Sequence, residues 1–443
     1  MRRCLPALII ALLALLPPAV ATAQDVESVR RELETMRQQF DALRQQYERR
    51  MQEMAERLRT LAAQVPAPTV TPPAGGERVA AAPPAVDAPS LAQLATPRQP
   101  FALAAPGRTL LFDLGASGDF VADFTSAARE RRGDGTFAGR ENRLFPREVS
   151  VGFFGRVDPY ASAVVRLSAG EEARGGEIEA AVEEANVTLL TLPLGTTARF
   201  GLMRPRFGTL NVVHQDDLPQ VDRPNVLTRF FGEEQLDGER GVEAFWLLPL
   251  PFYEEASLGV FDGDNETAFG RGTLRNPLVL GRLRSFFELD EWGGLQLDLS
   301  GATGVTPDER RNTVAGVGLK YKWAPTAGHP FPIVTLAGEL LYGNRRVDEA
   351  GARRFERWGY YVYGQYDWTR RWAAGLRWDW TELPTARGRE WAVSPYVQFK
   401  PSEFLRFRVQ YKRTEGAAAA ERVADELFLQ GSFILGAHPT ERF

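Results

Sequence analysis

Residues 371–380 read RWAAGLRWDW, and residues 405–412 read LRFRVQYK. In the first stretch Trp372, Ala374, Leu376, Trp378 and Trp380 alternate with Arg371, Ala373, Gly375, Arg377 and Asp379. In the second, Leu405, Phe407, Val409 and Tyr411 alternate with Arg406, Arg408, Gln410 and Lys412. A period of two marks strands with two unlike faces, because successive side chains point in opposite directions. One face is apolar and ends in aromatic rings; the other is charged. Residues 356–368 repeat the pattern, with Trp358 and Tyr360 near one end and Tyr366 and Trp368 near the other. A soluble sandwich would bury its apolar face and has no reason to gather Trp and Tyr at both ends. A strand crossing a bilayer does, since these rings settle at the two lipid–water interfaces.

Working outward from these strands, the same alternation runs from Arg108 to the end of the 443-residue chain. Sixteen segments follow from it: 109–124, 145–157, 159–169, 178–192, 196–204, 241–250, 254–262, 277–288, 293–303, 313–323, 331–342, 356–368, 370–381, 390–400, 402–413 and 425–436. Short connections such as Asp158-Pro159, 192–195, 249–253 and 401–402 alternate with long polar ones, including 125–144, 205–240, 263–276 and 414–424. An even strand number with turns short on one side and long on the other predicts an all-β fold. It is a transmembrane antiparallel β-barrel over 108–443, wide enough for an aqueous interior. The last strand is followed by HPTERF, ending in Phe443.

The residues before the barrel divide into three. Residues 1–23 pair Arg2 and Arg3 with the apolar run LPALIIALLALLPPAV and end Ala21-Thr22-Ala23, which reads as a signal peptide. Residues 24–65 place Val26, Val29, Leu33, Met36, Phe40, Leu43 and Tyr47 at spacings of three and four, and the pattern resumes at Met51. That predicts an α-helical coiled coil, or a solitary amphipathic helix. Residues 66–107 are rich in Pro and Ala and read as a linker. Past the leader no run reaches the roughly 20 apolar residues of a spanning helix. The sole Cys, Cys4, lies in the leader; without Arg2 and Arg3, 51 basic residues face 57 acidic ones. That balance gives no support for nucleic-acid binding.

The stretch 205–240 is too long for a tight turn, too broken by Pro and Gly for a helix, and too polar for a core strand. Loops of this length inside a compact domain tend to be functional. It carries Arg206, Arg223, Arg229 and Arg240 against Asp216, Asp217, Asp222, Glu233, Glu234, Asp237 and Glu239, and it contains no Lys. The inward faces of the strands supply Arg166, Arg199, Lys320, Lys322, Arg371, Arg377, Arg406, Arg408 and Lys412. They also supply Glu243, Asp298, Glu339 and Asp379.

The leader, coiled coil, sixteen-strand pattern and the stretch FGLMRPRFG…NVVHQDDLPQVDRP…FFGEE together resemble the phosphate-selective porin O and P family, over about 108–443. The resemblance implies a homotrimeric, anion-selective channel of the outer membrane, with Arg ladders along the lumen and a Lys cluster at the constriction. The Lys cluster has no counterpart in 205–240. Its Arg206, His214, Asp216, Asp217, Asp222, Arg223, Arg229, Glu233 and Glu234 would instead set the constriction.

His214 with Asp216, Asp217 and Asp222 has the donor types of a divalent-cation site; the competing reading is a loop pinned to the wall by hydrogen bonds and ion pairs. Glu233-Glu234 after Phe230-Phe231 reads either as the lining of an eyelet or as exposed acids beside an aromatic pair that anchors the loop. Catalysis finds little support, because His329 and His438 fall in a turn and the tail, so a nucleophile–His arrangement has only His214 to use. No cofactor motif stands out. The expectation is a porin passing small hydrophilic solutes or inorganic anions, set in outer-membrane lipid with its N-terminal arm in the periplasm. The alternative is a tether whose arm grips peptidoglycan or another periplasmic partner.

Overall fold

The structure is a computed structural model. It describes residues 101–105, 108–126, 130–131, 137–138, 142–171, 178–232, 235–265, 267–270, 272–325, 331–347, 353–416 and 423–436. The leader, coiled coil and most of the linker lie outside these residues, as do Glu233, Glu234, His329, His438 and Phe443.

Sixteen strands close an antiparallel barrel in chain order: β1 (Arg108–Thr125), β2 (Arg143–Asp158), β3 (Ala161–Glu171), β4 (Ile178–Leu192), β5 (Thr196–Met203), β6 (Glu239–Leu247), β7 (Tyr253–Phe261), β8 (Leu278–Glu288), β9 (Gly294–Val305), β10 (Arg311–Trp323), β11 (Ile333–Arg346), β12 (Arg354–Asp367), β13 (Trp372–Glu382), β14 (Arg389–Ser402), β15 (Leu405–Gly416) and β16 (Val423–Gly436). Each pairs with the next, and β16 closes on β1 from Glu426↔Thr125 to Gly436↔Gly115. A short strand, Phe101–Ala105, pairs with the start of β1. The sixteen segments read from alternation are these sixteen strands.

The alternation is also what sorts the faces. Arg377 is 0% exposed while its neighbour Trp378 is 37% exposed. On the outside, Trp358, Tyr360 and Trp378 lie toward the long-loop end of the wall. Trp368 and Trp372 lie toward the short turns and stack with ring centroids 6.3 Å apart. Two aromatic levels on an apolar outer face are the arrangement of a wall that meets lipid.

The inward rows change character along their length. From the long-loop end, β8 turns inward Leu278, Leu280, then Arg282 and Arg284; β10 turns inward Val314 and then, past two glycines, Lys320 and Lys322. The apolar ends join one buried cluster inside the barrel with Phe207, Phe230, Phe231, Phe261, Phe269 and Leu341. A strand end apolar on both faces must be covered on both faces. The cover is the connection between β5 and β6, which turns back into the lumen.

That connection contains a helix, α1 (Asn225–Phe231), where the sequence pattern predicts none. Pro224 precedes it, and Gly232 ends it at φ +90°, donating its N–H to the Thr228 carbonyl. Pro and Gly here bound a helix rather than forbid one. Val226, Leu227, Phe230 and Phe231 are all buried, so tertiary packing holds a helix too short to persist alone.

Candidate functional site

The loop is fastened to the wall on every side. At its centre Asp222 accepts from Arg377 at 3.0 Å, from Lys412 at 2.7 Å and from Gln410. Burial would raise this carboxyl; Arg377 and Lys412 outweigh burial and hold it well below the usual carboxylate range. Beside it, the Asn225 N–H donates to Asp379 at 3.0 Å, and Arg229 forks onto both oxygens of Glu390 at 2.9 and 3.1 Å. The Val221 N–H donates to Gln410 at 2.8 Å, and its carbonyl accepts from Arg147 of β2. The Leu218 carbonyl accepts from Arg408 at 2.9 Å.

On the opposite side His214 stands between Glu183 and Glu184 of β4, with Nδ1 and Nε2 each 2.9 Å from a carboxylate oxygen. Carboxylates at both nitrogens require both to donate, hence an imidazolium. Burial and the nearby Arg204 push its pKa down; the bonds to Glu183 and Glu184 outweigh them and raise it to about 9. Arg204 bridges Glu183 at 2.9 Å and Asp237, and Asp216 meets Arg166 at 3.4 Å. Arg206 pairs with Glu255 at 2.6 Å and lies 3.9 Å over the Phe245 ring.

A third side is reached by backbone. The Gly208 N–H donates to Ser300 at 2.9 Å, and the Thr209 hydroxyl bonds Glu339 at 3.2 Å and Tyr361 at 2.9 Å. Gly208 has φ +58°, and a Cβ there would run into the Glu339 carboxylate, so the close approach depends on glycine. Within the loop, Arg223 ties the Leu210 and Val213 carbonyls at 2.9 and 2.8 Å.

Of the residues expected to set a constriction, the described ones, Arg206, His214, Asp216, Asp217, Asp222, Arg223 and Arg229, are gathered inside the barrel, but with separate partners. His214, Asp216 and Asp222 face β4, β3 and the β13–β15 wall respectively. Among the described residues no group of three His, Cys, Asp or Glu could hold a metal ion. Asp217 lines the lumen cavity described below. Of the lumen rows, Arg199, Lys320, Lys322, Arg377, Arg406, Arg408 and Lys412 lie on inward positions, whereas Arg371 sits exposed in the turn before β13. Glu183, Glu184, Arg204, Arg282 and Arg284 were not singled out by sequence. A β-bulge opposite Arg166 and Leu167 turns both glutamates inward, and strict alternation cannot show that.

The consequence is a lumen that the loop narrows. Each of the sixteen strands contributes at least one inward side chain less than a tenth exposed, among them Asp119, Arg166, Glu243, Arg282, Asp298 and Gln410. Below the loop, toward the short turns, the interior opens into a cavity of about 590 Å³. The loop roofs it with Leu210, Val212, Val213 and Pro219. Its walls include Arg199, Arg282, Arg284 and Lys320, and the loop adds Arg206.

No protein-family model matches the chain. An uncharacterized protein of Aquifex aeolicus (strain VF5) is 28% identical over 327 residues, covering 65% of this chain and 67% of its own length. Among solved structures, OprB of Pseudomonas putida at high pH superposes with a TM-score of 0.51 at 10% identity, over 74% of this chain and 94% of that one. An anion-selective porin from Comamonas acidovorans gives 0.50 at 10% identity, over 74% and 100%. The wall thus has the fold of outer-membrane porins.

Proposed function

We propose that this protein is an outer-membrane porin for the passive diffusion of small hydrophilic solutes, controlled by the loop between β5 and β6. The observation that carries the reading is the loop itself: it crosses the lumen and is ion-paired to opposite walls of a sixteen-stranded barrel. A barrel serving only as an anchor has no use for such a device. In this reading the loop holds the lumen closed in its wall-bound position, and passage follows when it leaves part of the wall. In this reading His214 is a cross-brace and not a catalytic base.

The solutes are small anions, inorganic phosphate among them. Four cations on one side of the cavity, Arg206, Arg282, Arg284 and Lys320, face two carboxylates, Glu255 and Asp298. Charged rings at a narrow passage set which sign enters. The porin works as a homotrimer in this proposal, with the arm of residues 24–65 in the periplasm.

The test is single-channel recording of the refolded mature protein in planar bilayers, in chloride and then phosphate. The expected result is infrequent, discrete steps with anion preference. A folded barrel that gives no steps, even when Asp222→Ala frees the loop, would replace the porin with the tether.

A further inference from the structure

The cavity under the loop has two unlike sides. On one, Asp298 of β9 takes both Arg282 at 2.6 Å and Arg284 at 2.8 Å, and also Gln296 at 2.6 Å. Glu255 takes Arg206 at 2.6 Å and Tyr253 at 3.2 Å. Lys320 stands across the ladder from Gln296 and adds its charge to this wall. The guanidinium of Arg284 uses Nε on Asp298, so its terminal N–H groups are the natural fork for a further carboxylate. The other side carries an apolar patch of Leu210, Val212, Val213 and Pro219 from the loop, with Phe154 and Val164 from the wall, set among charged groups that include Asp113, Arg166, Glu184, Arg204 and His214.

A bare inorganic anion placed here would leave the apolar patch uncovered, whereas an anion with a hydrocarbon body would take that surface out of water. A hydrocarbon acid finds both halves of its own chemistry here, cations for its carboxylate and the patch for its body. The volume of about 590 Å³ is within the roughly 300–1,000 Å³ of small-molecule sites, where apolar walls and a few placed polar groups coexist. We propose that this cavity is a binding site for a small free organic carboxylate with an apolar body, such as an aromatic or branched-chain acid. The carboxylate meets Arg284 and Arg206, and the body lies under Val212 and Leu210. The inference rests on the anion preference of the porin reading and narrows it to one class of anion.

Because four loop residues form the roof, an occupant touches wall and loop together. Binding is then coupled to the closed position of the loop, in proportion to the contacts made only there.

The experiment is calorimetric titration of the refolded full-length protein in detergent with benzoate, acetate and inorganic phosphate at fixed ionic strength. Benzoate is expected to bind at least ten-fold tighter than acetate or phosphate. Val212→Asn should remove that advantage and leave acetate unchanged, while Arg284→Gln should weaken both carboxylates ten-fold or more. Arg206→Gln is the second cation variant, at a partly exposed position. Phosphate binding as tightly as benzoate, or benzoate binding untouched by all three substitutions, would overturn the proposal. Bilayer recording separates the two readings: conduction without benzoate binding keeps the porin and removes this site, and binding without conduction does the reverse.

Discussion

The two halves of the lumen are enclosed by the same sixteen strands and differ in what fills them. Toward the long loops the interior is a packed apolar core built on α1. Toward the short turns it is a hollow with charged walls. The difference is written in single strands: β8 turns Leu278 and Leu280 into the first half, and Arg282 and Arg284 into the second. Barrel closure therefore does not decide whether a lumen is open. The inward row decides it, because an apolar row demands a cover and a charged one tolerates water.

The sharpest way to break this comparison is to detach the loop from the wall where the halves meet. Asp222→Ala leaves Arg377 and Lys412 buried without their shared carboxylate. Loss of one partner from a buried pair costs about 3–5 kcal/mol, and the filled half should loosen. Chemical denaturation would register the loss, and channel recording would show more frequent openings. Phe231→Ala attacks the core itself, with a cost on the order of 3–4 kcal/mol. It should lower stability while leaving the cation side of the cavity, and hence benzoate titration, largely intact.

A smaller effect comes from pH. The His214 pKa is raised from an ordinary 6.5 to about 9. A raised pKa means its brace is fully present below about pH 6.5 and is lost as pH climbs through 9. By linkage the full shift is worth about 3 kcal/mol. Openings should become more frequent between pH 8 and 10, and His214→Gln should flatten that rise. Smallest is Gly208→Ala, where a Cβ meets Glu339 and φ +58° is disfavoured. The strain is on the order of 1–2 kcal/mol, read as a modest fall in the denaturation midpoint.

The wall was legible in the sequence because its pattern is local and repeated: alternation around Trp372–Trp380 gives face, strand and lipid contact at once. The position of the loop followed from counting strands. Its closure did not, since Asp222 and Lys412 are 190 residues apart and nothing local joins them. The helix at Asn225–Phe231 was masked by its own boundaries, Pro224 and Gly232. One signal was present and went unread. Leu278 and Leu280 share a strand end with outward Val279, and apolar residues on both faces announce that something packs inside. The glutamates that hold His214 gave no such sign, because a bulge reorients them.

The central claim is that the loop seals the lumen at mid-wall. Cys4 is the sole Cys and lies in the predicted leader, so a single engineered thiol reports cleanly. Ser394 is inward on β14, 0% exposed, and nearly the size of Cys. The measurement is the labelling rate of Ser394→Cys by a charged, water-soluble thiol reagent. The account predicts slow labelling in the otherwise unchanged protein and at least ten-fold faster labelling when Asp222→Ala is added. Fast labelling without the second substitution would mean that the lumen is open past the loop and would contradict it.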